Sequence, residues 1–414
     1  LRILFVTPQL PFPPRQGTQM RNLQLIRAAA ASHQIDLISF ARKGETMDAA
    51  APLGKLCGEI RLVDAPPPRN AKARLRDLAT SREPDLALRL RSRAFESTLR
   101  FMLSVWRYDA VQIEGLEMAS YLPIVRLLAP SASVIFDAHN CEYLIQARAA
   151  AVDALHPTKW PRAAYSLIQW QRLKEHEASI CRQAKLVLAV SKPDSDSLYG
   201  LGLASHPLVI PNGVDCAYYR PDLVLHPEHD SLLFTGTMDY RPNVDAVQWL
   251  VAKVLPLVAE QRPGISLRIV GRSPSPEVMA LDDDPRIEVT GAVKDVRPYF
   301  TRSTLFVVPM RMAGGARLKI LEALAMGLPV VSTTMGAEGI DLTDGKEALL
   351  ADSAGQFVEA IVRLLENPGL AGKMASAGRR LVDEQYDWPR VAPLLLHAYA
   401  SIGARGRRDA GIAL

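Results

Sequence analysis

The sequence predicts an α/β chain built on parallel sheets, and three observations predict it. The first is Leu305 to Thr333, LFVVPMRMAGGARLKILEALAMGLPVVST, which reads as strand, glycine loop, helix, strand. Its two apolar, β-branched runs are patterned for strands buried on both faces, and Leu318, Leu321 and Leu324 between them fall at helical spacing. The second is the same order at the start of the chain, from Leu1 to Phe40. The third is length: 414 residues suggest two to three domains, and a fresh strand with a glycine turn begins at Leu232. A parallel strand–helix–strand unit crosses over right-handed and opens a ligand crevice at the strand ends.

In chain order, Leu1 to Val6 is a buried strand, Pro8 to Pro14 a loop, and Met20, Leu23, Ile26 and Ala30 mark a helix before the strand Ile35 to Phe40. Gly17 lies in the turn into that helix. It suits close approach of a ligand and equally a plain turn. From Arg61 to Arg107 arginines recur among leucines and alanines. That pattern allows an anionic membrane face or a lipid-diphosphate as partner. It also allows solvated helices, since Asp77, Glu83, Asp85 and Glu96 dilute the charge. No nucleic-acid motif is present.

Strands follow at Asp109 to Glu114 and Val134 to Phe136, the latter running into Asp137-Ala138-His139-Asn140. His139 thus sits at a strand's carboxyl end, whereas His176 reads as a helix-surface residue. Ser166 to Arg182 reads as a helix, and Ser191 as an N-cap after the strand Leu186 to Val190. Asn212-Gly213 is a turn. Beyond it, Gly236-Thr237 and Gly271-Arg272 end strands, Asn243 reads as an N-cap, and the strand from Ile287 leads to Val293. Asp282-Asp283-Asp284, beside Pro285, reads as a solvated loop and not a metal site.

The chemistry concentrates at the glycine loop. Gly314 and Gly315 admit a ligand to the backbone, and free N–H groups at the following helix favour an anion. Arg317 and Lys319 put cations where a helix start ordinarily prefers acids, which points to a phosphate. Glu322 lies one turn on, placed to accept ribose hydroxyls; an Lys319–Glu322 surface pair is the plainer alternative.

Composition sets bounds. A net charge of +5 permits phosphate or anionic-lipid binding without requiring it. Four scattered cysteines fit reduced thiols in a cytoplasmic protein. No apolar run reaches the roughly 18–20 residues a membrane span needs.

The run Glu322-Ala323-Leu324-Ala325-Met326-Gly327-Leu328-Pro329-Val330-Val331 resembles the donor-site signature of the retaining glycosyltransferases of family 4, which have the GT-B fold. The DAHN segment, the IPNGVD stretch at Ile210 to Asp215 and the Trp388-Pro389 helix start are similar to other parts of that family. The family's first motif glutamate falls at Gly314. The chain therefore resembles a subgroup with a Gly-Gly-x-Arg-x-Lys loop in its place. Two diphosphate-binding cations of the family are replaced by Thr237 and Pro242, so the role passes to Arg317 and Lys319, with Arg241 and Arg311 behind them.

The resemblance implies two Rossmann-like doubly wound domains facing across a cleft. They are expected at 1–213, joined by a returning helix at 387–402, and at 214–386, with a disordered tail at 403–414. It implies a hexosyltransferase that moves a sugar from a nucleotide-sugar to a glycan or lipid-linked acceptor without a metal or other cofactor. The pathway implied is surface polysaccharide or glycolipid assembly in the cytoplasm. His139, Glu322, Arg317 and Lys319 would be catalytic, and Gly17, Gly236, Thr237, Gly271, Arg272, Val293, Gly314 and Gly315 would line the donor. The rivals are a nucleotide-sugar epimerase of the same fold and a non-catalytic nucleotide-sugar-binding protein.

Overall fold

The computed structural model describes residues 1–42, 44–221, 227–312 and 318–410, with 403–410 by backbone alone. The chain forms two compact units, Leu1–Pro211 with Val391–Leu414, and Asn212–Arg390. The division falls two residues before the expected one. Val214 bridges Asp387, and the Trp388 ring covers Gly213 so closely that an added Cβ would lie 2.7 Å from it. The Asn212-Gly213 turn therefore packs within the second unit.

The first unit holds a seven-stranded parallel sheet. Its strands are β1 (Arg2–Thr7), β2 (Gln34–Ala41), β3 (Cys57–Asp64), β4 (Ala110–Glu114), β5 (Ser133–Ala138), β6 (Leu186–Ala189) and β7 (Leu208–Val209), in the order β3-β2-β1-β4-β5-β6-β7. β1 pairs with both β2 and β4, so the order reverses there and a crevice opens at the carboxyl ends. Near-continuous apolar strands bury residues such as Leu4, Val6, Val111, Ile113 and Phe136 completely, as a sheet covered on both faces requires.

The second unit repeats the plan with six strands: β8 (Ser231–Thr235), β9 (Ser266–Val270), β10 (Ile287–Gly291), β11 (Leu305–Val308), β12 (Val330–Ser332) and β13 (Leu349–Leu350), ordered β10-β9-β8-β11-β12-β13. Here the switch lies between β8 and β11. Helix Leu318–Ala325 connects toward β12; of the predicted apolar set it buries Leu321 and Leu324, Leu318 is half-buried against the core, Ile320 is buried as well, and Gly327 takes φ +68 just beyond it.

Several local expectations change. Helix Arg241–Trp249 is preceded by Tyr240 as its N-cap, so Asn243 lies inside the first turn and is buried. Ser191 does cap its helix, accepting from the Asp194 N–H. His176 is half-buried on helix Trp160–Gln183 and not a surface residue. Asp282 and Asp283 are solvent-exposed as expected, in a turn where Asp282 accepts the Val289 N–H at 2.7 Å and Asp284 grips Arg286. The last helix runs from Trp388 to Ala410, so 403–410 is helical where a disordered tail was expected; 411–414 lie outside the described residues. In the basic stretch Arg69 pairs with Asp77 and Asp85, Arg91 with Glu83, and Arg100 with Glu96.

Candidate functional site

The sequence-predicted residues fall at the carboxyl ends of both sheets. In the second unit, Gly236 follows β8 and Gly271 follows β9. Their backbones touch: a Cβ at Gly271 would stand 1.6 Å from the Gly236 carbonyl oxygen. A Cβ at Gly236 would meet Asn243 Nδ2 at 2.7 Å and Lys319 Nζ at 3.0 Å. The two bare positions let polar groups close in on the strand ends. Lys319 Nζ donates to Asn243 Oδ1 at 3.0 Å and sits 4.1 Å from the Phe234 ring centre, while Asn243 Nδ2 donates to the Thr237 carbonyl at 2.9 Å. A cation is thus held over an aromatic face beside the Gly236-Thr237 turn.

One turn along the same helix, Glu322 accepts the Tyr219 hydroxyl at 3.0 Å. Burial pushes its carboxyl up to about 7, against the pull of Tyr219 and Lys319. Arg272 is half-buried, and Val293 packs on the core, which leaves its backbone for any ligand contact. Arg311 is held by Asp245 through two bonds at 2.6 and 3.0 Å. Arg241 is exposed at its helix start. Gly314, Gly315 and Arg317 lie outside the described residues.

In the first unit, Gly17 opens helix Gly17–Ala30, and His139 follows β5. His139 Nε2 is 2.8 Å from Glu114 Oε2, and Glu114, the last residue of β4, is wholly buried. Beside it Asp137 holds Arg21 through two bonds of 2.8 Å, and Arg21 also donates to the Ile210 carbonyl. Gln112 donates to Glu114 at 2.7 Å and accepts from Tyr399; Asn22, oriented by its partners, donates to Glu114 Oε2 at 2.8 Å.

Burial by itself would lower the His139 pKa. Its bond to Glu114, with the charges of Asp137 and Glu114, outweighs burial and lifts it above its ordinary value. Burial and Asp137 raise Glu114, whereas Arg21, against burial, keeps Asp137 low. The Glu114–His139 pair therefore retains a proton that Asp137 does not. Glu114, Asp137 and His139 also form the group, among the described residues, whose ligand atoms lie close enough to share a metal ion. Both Asp137 oxygens already face the Arg21 guanidinium, which supplies the positive charge there.

Sequence reading did not find Glu114, Arg21, Asn243 or Tyr219. Glu114 carried one signal, an acid ending the apolar strand AVQIE. The glycine contact gives a direct test. Gly271→Ala is expected to destabilise the protein by about 3 kcal/mol or more, since backbone must move. Gly264→Ala, where a Cβ meets nothing within 4 Å, should be close to neutral. Denaturant midpoints of the two variants compare them, and equal midpoints would refute the contact.

Comparison with known proteins adds the following. The family model described as Glycosyltransferase Family 4 matches residues 15–218, and the one described as Glycosyl transferases group 1 matches 229–367. An uncharacterized 44.6 kDa protein in the cps region of Klebsiella pneumoniae is 24% identical over 94% of this chain and 97% of its own. A GDP-mannose-dependent alpha-(1-6)-phosphatidylinositol monomannoside mannosyltransferase of Mycobacterium tuberculosis is 29% identical over 45% of this chain and 54% of its own. Among solved structures, sucrose-phosphate synthase from Thermosynechococcus elongatus superposes with a TM-score of 0.74 at 19% identity, covering 98% of this chain and 99% of that one.

Proposed function

The chain is a glycosyltransferase of the GT-B fold, a hexosyltransferase, and from that premise we propose that it moves a sugar from a nucleotide-sugar to a glycan or lipid-linked acceptor with retention of configuration. The observation that carries the donor site is Lys319, held by Asn243 and Phe234 against the bare Gly236–Gly271 contact. A cation at the open end of a parallel sheet, at its switch point, suits a diphosphate. Glu322, one turn away, takes the ribose hydroxyls, and Gly236, Thr237, Gly271, Arg272 and Val293 line the donor. His139 positions the transferred sugar. Gly17 is proposed to offer backbone to the donor; Gly314, Gly315 and Arg317, assigned to the phosphate by the sequence, lie outside the described residues.

Surface polysaccharide assembly in the cytoplasm is the proposed setting. It fits the relative from a cps region and four free, buried cysteines. A lipid-linked acceptor calls for peripheral contact with an anionic membrane face.

Two measurements test the reading. A thermal-shift panel of UDP-, GDP-, dTDP- and ADP-sugars should show one nucleotide raising the melting temperature above the rest. Radiolabelled donor should then yield a glycosylated acceptor from a cell-envelope extract. An isomerised sugar nucleotide alone would favour an epimerase, and binding with neither product a non-catalytic binder. The charge on Lys319 and Arg317 makes the proposed reaction metal-independent, so turnover should persist in excess EDTA. An absolute requirement for added magnesium or manganese would overturn that part.

A further inference from the structure

The hydroxyl of Tyr219 reaches Glu322 across 103 residues of chain, and the contact is fixed from both sides. Tyr219 ends a tight turn. Asp215 Oδ1 accepts the Ala217 and Tyr218 N–H groups at 3.1 and 2.9 Å, and the Asp215 carbonyl accepts the Tyr219 N–H at 2.8 Å. The buried ring meets Tyr218 and Phe300 edge-on. One side chain then ties this turn to the helix that carries Glu322. Arg379, on helix Pro368–Leu381, donates through Nη1 to the Tyr219 carbonyl at 2.8 Å and to the Ala325 carbonyl, and through Nη2 to the Cys216 carbonyl at 3.1 Å. Its Nε donates to Asp383 at 2.9 Å. Ala325 ends helix Leu318–Ala325, so the guanidinium sits where a helix offers its last carbonyls and favours a cation.

Burial and the neighbouring Glu322 charge push the Tyr219 hydroxyl far above its ordinary range, so it stays protonated and donates. Its bond goes to Oε1, which leaves Oε2 as the ligand-facing acceptor among the described residues. A desolvated carboxylate is costly unless it is hydrogen-bonded. Here burial raises Glu322, while the Tyr219 bond and the Lys319 charge pull the other way. The groups that face Glu322 are thus Tyr219 and, from its own helix, Lys319. Behind Tyr219 lie Tyr218 and Asp295, and the Arg379–Asp383 pair grips the end of the helix.

We propose that Tyr219, braced by Arg379, is a positioning residue for the donor: its hydroxyl fixes Glu322 Oε1 and presents Oε2 to the 2′- and 3′-hydroxyls of a ribose. The pair makes the site selective for ribonucleotides over nucleotides that lack those hydroxyls. This rests on the assignment of Glu322 to the ribose made above. Because the acceptor is a carboxylate, the selectivity is present above the Glu322 pKa and is lost as pH falls through it. Removing the Tyr219 hydroxyl lets burial prevail, raises that pKa and moves the loss to higher pH.

The test is calorimetric titration of the full chain with UDP, GDP and ADP, and with the 2′,3′-dideoxy form of each, from about pH 6 to about pH 9. The ratio of the two affinities isolates the ribose, since the phosphates titrate alike in both forms. For the nucleotide that binds, the parent is expected to favour the ribo form roughly tenfold near pH 8. Tyr219→Phe, which keeps the ring packing, should cut that preference about fivefold near pH 7 and regain most of it near pH 9. Arg379→Lys, which keeps the charge and loses the planar fork, should cut it about threefold at every pH. If the parent shows no ribose preference, or Glu322→Gln keeps it, the ribose assignment is wrong and the proposal falls with it. If Glu322→Gln abolishes the preference while Tyr219→Phe keeps the parental ratio and pH profile, the ribose assignment stands and the positioning role is overturned. A Tyr219→Phe loss of equal size at every pH overturns it too, because the hydroxyl would then serve packing alone.

Discussion

Replacing His139 with alanine is expected to lower kcat by about a hundredfold while nucleotide affinity changes by less than about threefold. Among the described residues the imidazole is held through Nε2, which faces Glu114 at 2.8 Å, with Asp137 Oδ2 at 3.7 Å. Nδ1 is left toward Gly115, where a Cβ would lie 3.4 Å away, and Gly115 takes φ +82 at the end of β4. A sugar hydroxyl that accepts from Nδ1–H would be placed by a ring whose tilt is set by a buried carboxylate. The raised His139 pKa keeps that donor proton in place near neutral pH, so activity should decline as pH rises through it.

Glu114→Gln gives a second readout that a purely structural role would not move. Without the carboxylate, burial prevails and the His139 pKa drops, so the alkaline fall in kcat should shift to lower pH. A variant with parental kcat and an unmoved profile would refute the pairing. Asn22 and Gln112 both donate to Glu114, so the glutamine variant loses acceptor capacity and its protein must be checked for folding.

The strands were legible because apolar runs and glycine ends are local. β11 is the first apolar run of the Leu305 to Thr333 stretch, and the helix that begins at Leu318 buries Leu321 and Leu324 of its apolar set. Of the candidate site, the sequence could place only residues whose position carries its own signal, as Lys319 near a helix start and His139 after a strand do. Partnerships were not legible, since they join positions far apart in the chain: Lys319 and Asn243 by 76 residues, Glu322 and Tyr219 by 103, Arg21 and Asp137 by 116. Asn243 misled for a physical reason. Asparagine is a good N-cap, but here its amide bonds the Thr237 carbonyl and Lys319 and does not cap the helix. Arg311 shows the reverse error, a cation near the site whose charge Asp245 already consumes.

Lys319→Ala should weaken nucleoside-diphosphate binding about ten- to a hundredfold, the loss of one charge-assisted hydrogen bond worth about 1.5–3 kcal/mol. Thr237 and Pro242 offer no charge at the first loop of the second unit, yet Lys319 brings its ammonium to that loop from the distant helix, 3.0 Å from where a Gly236 Cβ would stand. The replacement proposed for those cations is therefore spatial, made by a different element at the same strand end. Because the interaction is with phosphate, the free nucleoside should bind parent and variant alike. Arg311→Ala should cost less than about threefold, since Asp245 already takes that guanidinium. Arg241→Ala should cost as little, exposed as it is at the helix start. Calorimetric titration of the three variants with the diphosphate found in the thermal-shift panel decides among them. If Arg241→Ala abolishes binding and Lys319→Ala binds as the parent does, the phosphate lies over the start of helix Arg241–Trp249, and Lys319 is a structural cation packed on Phe234.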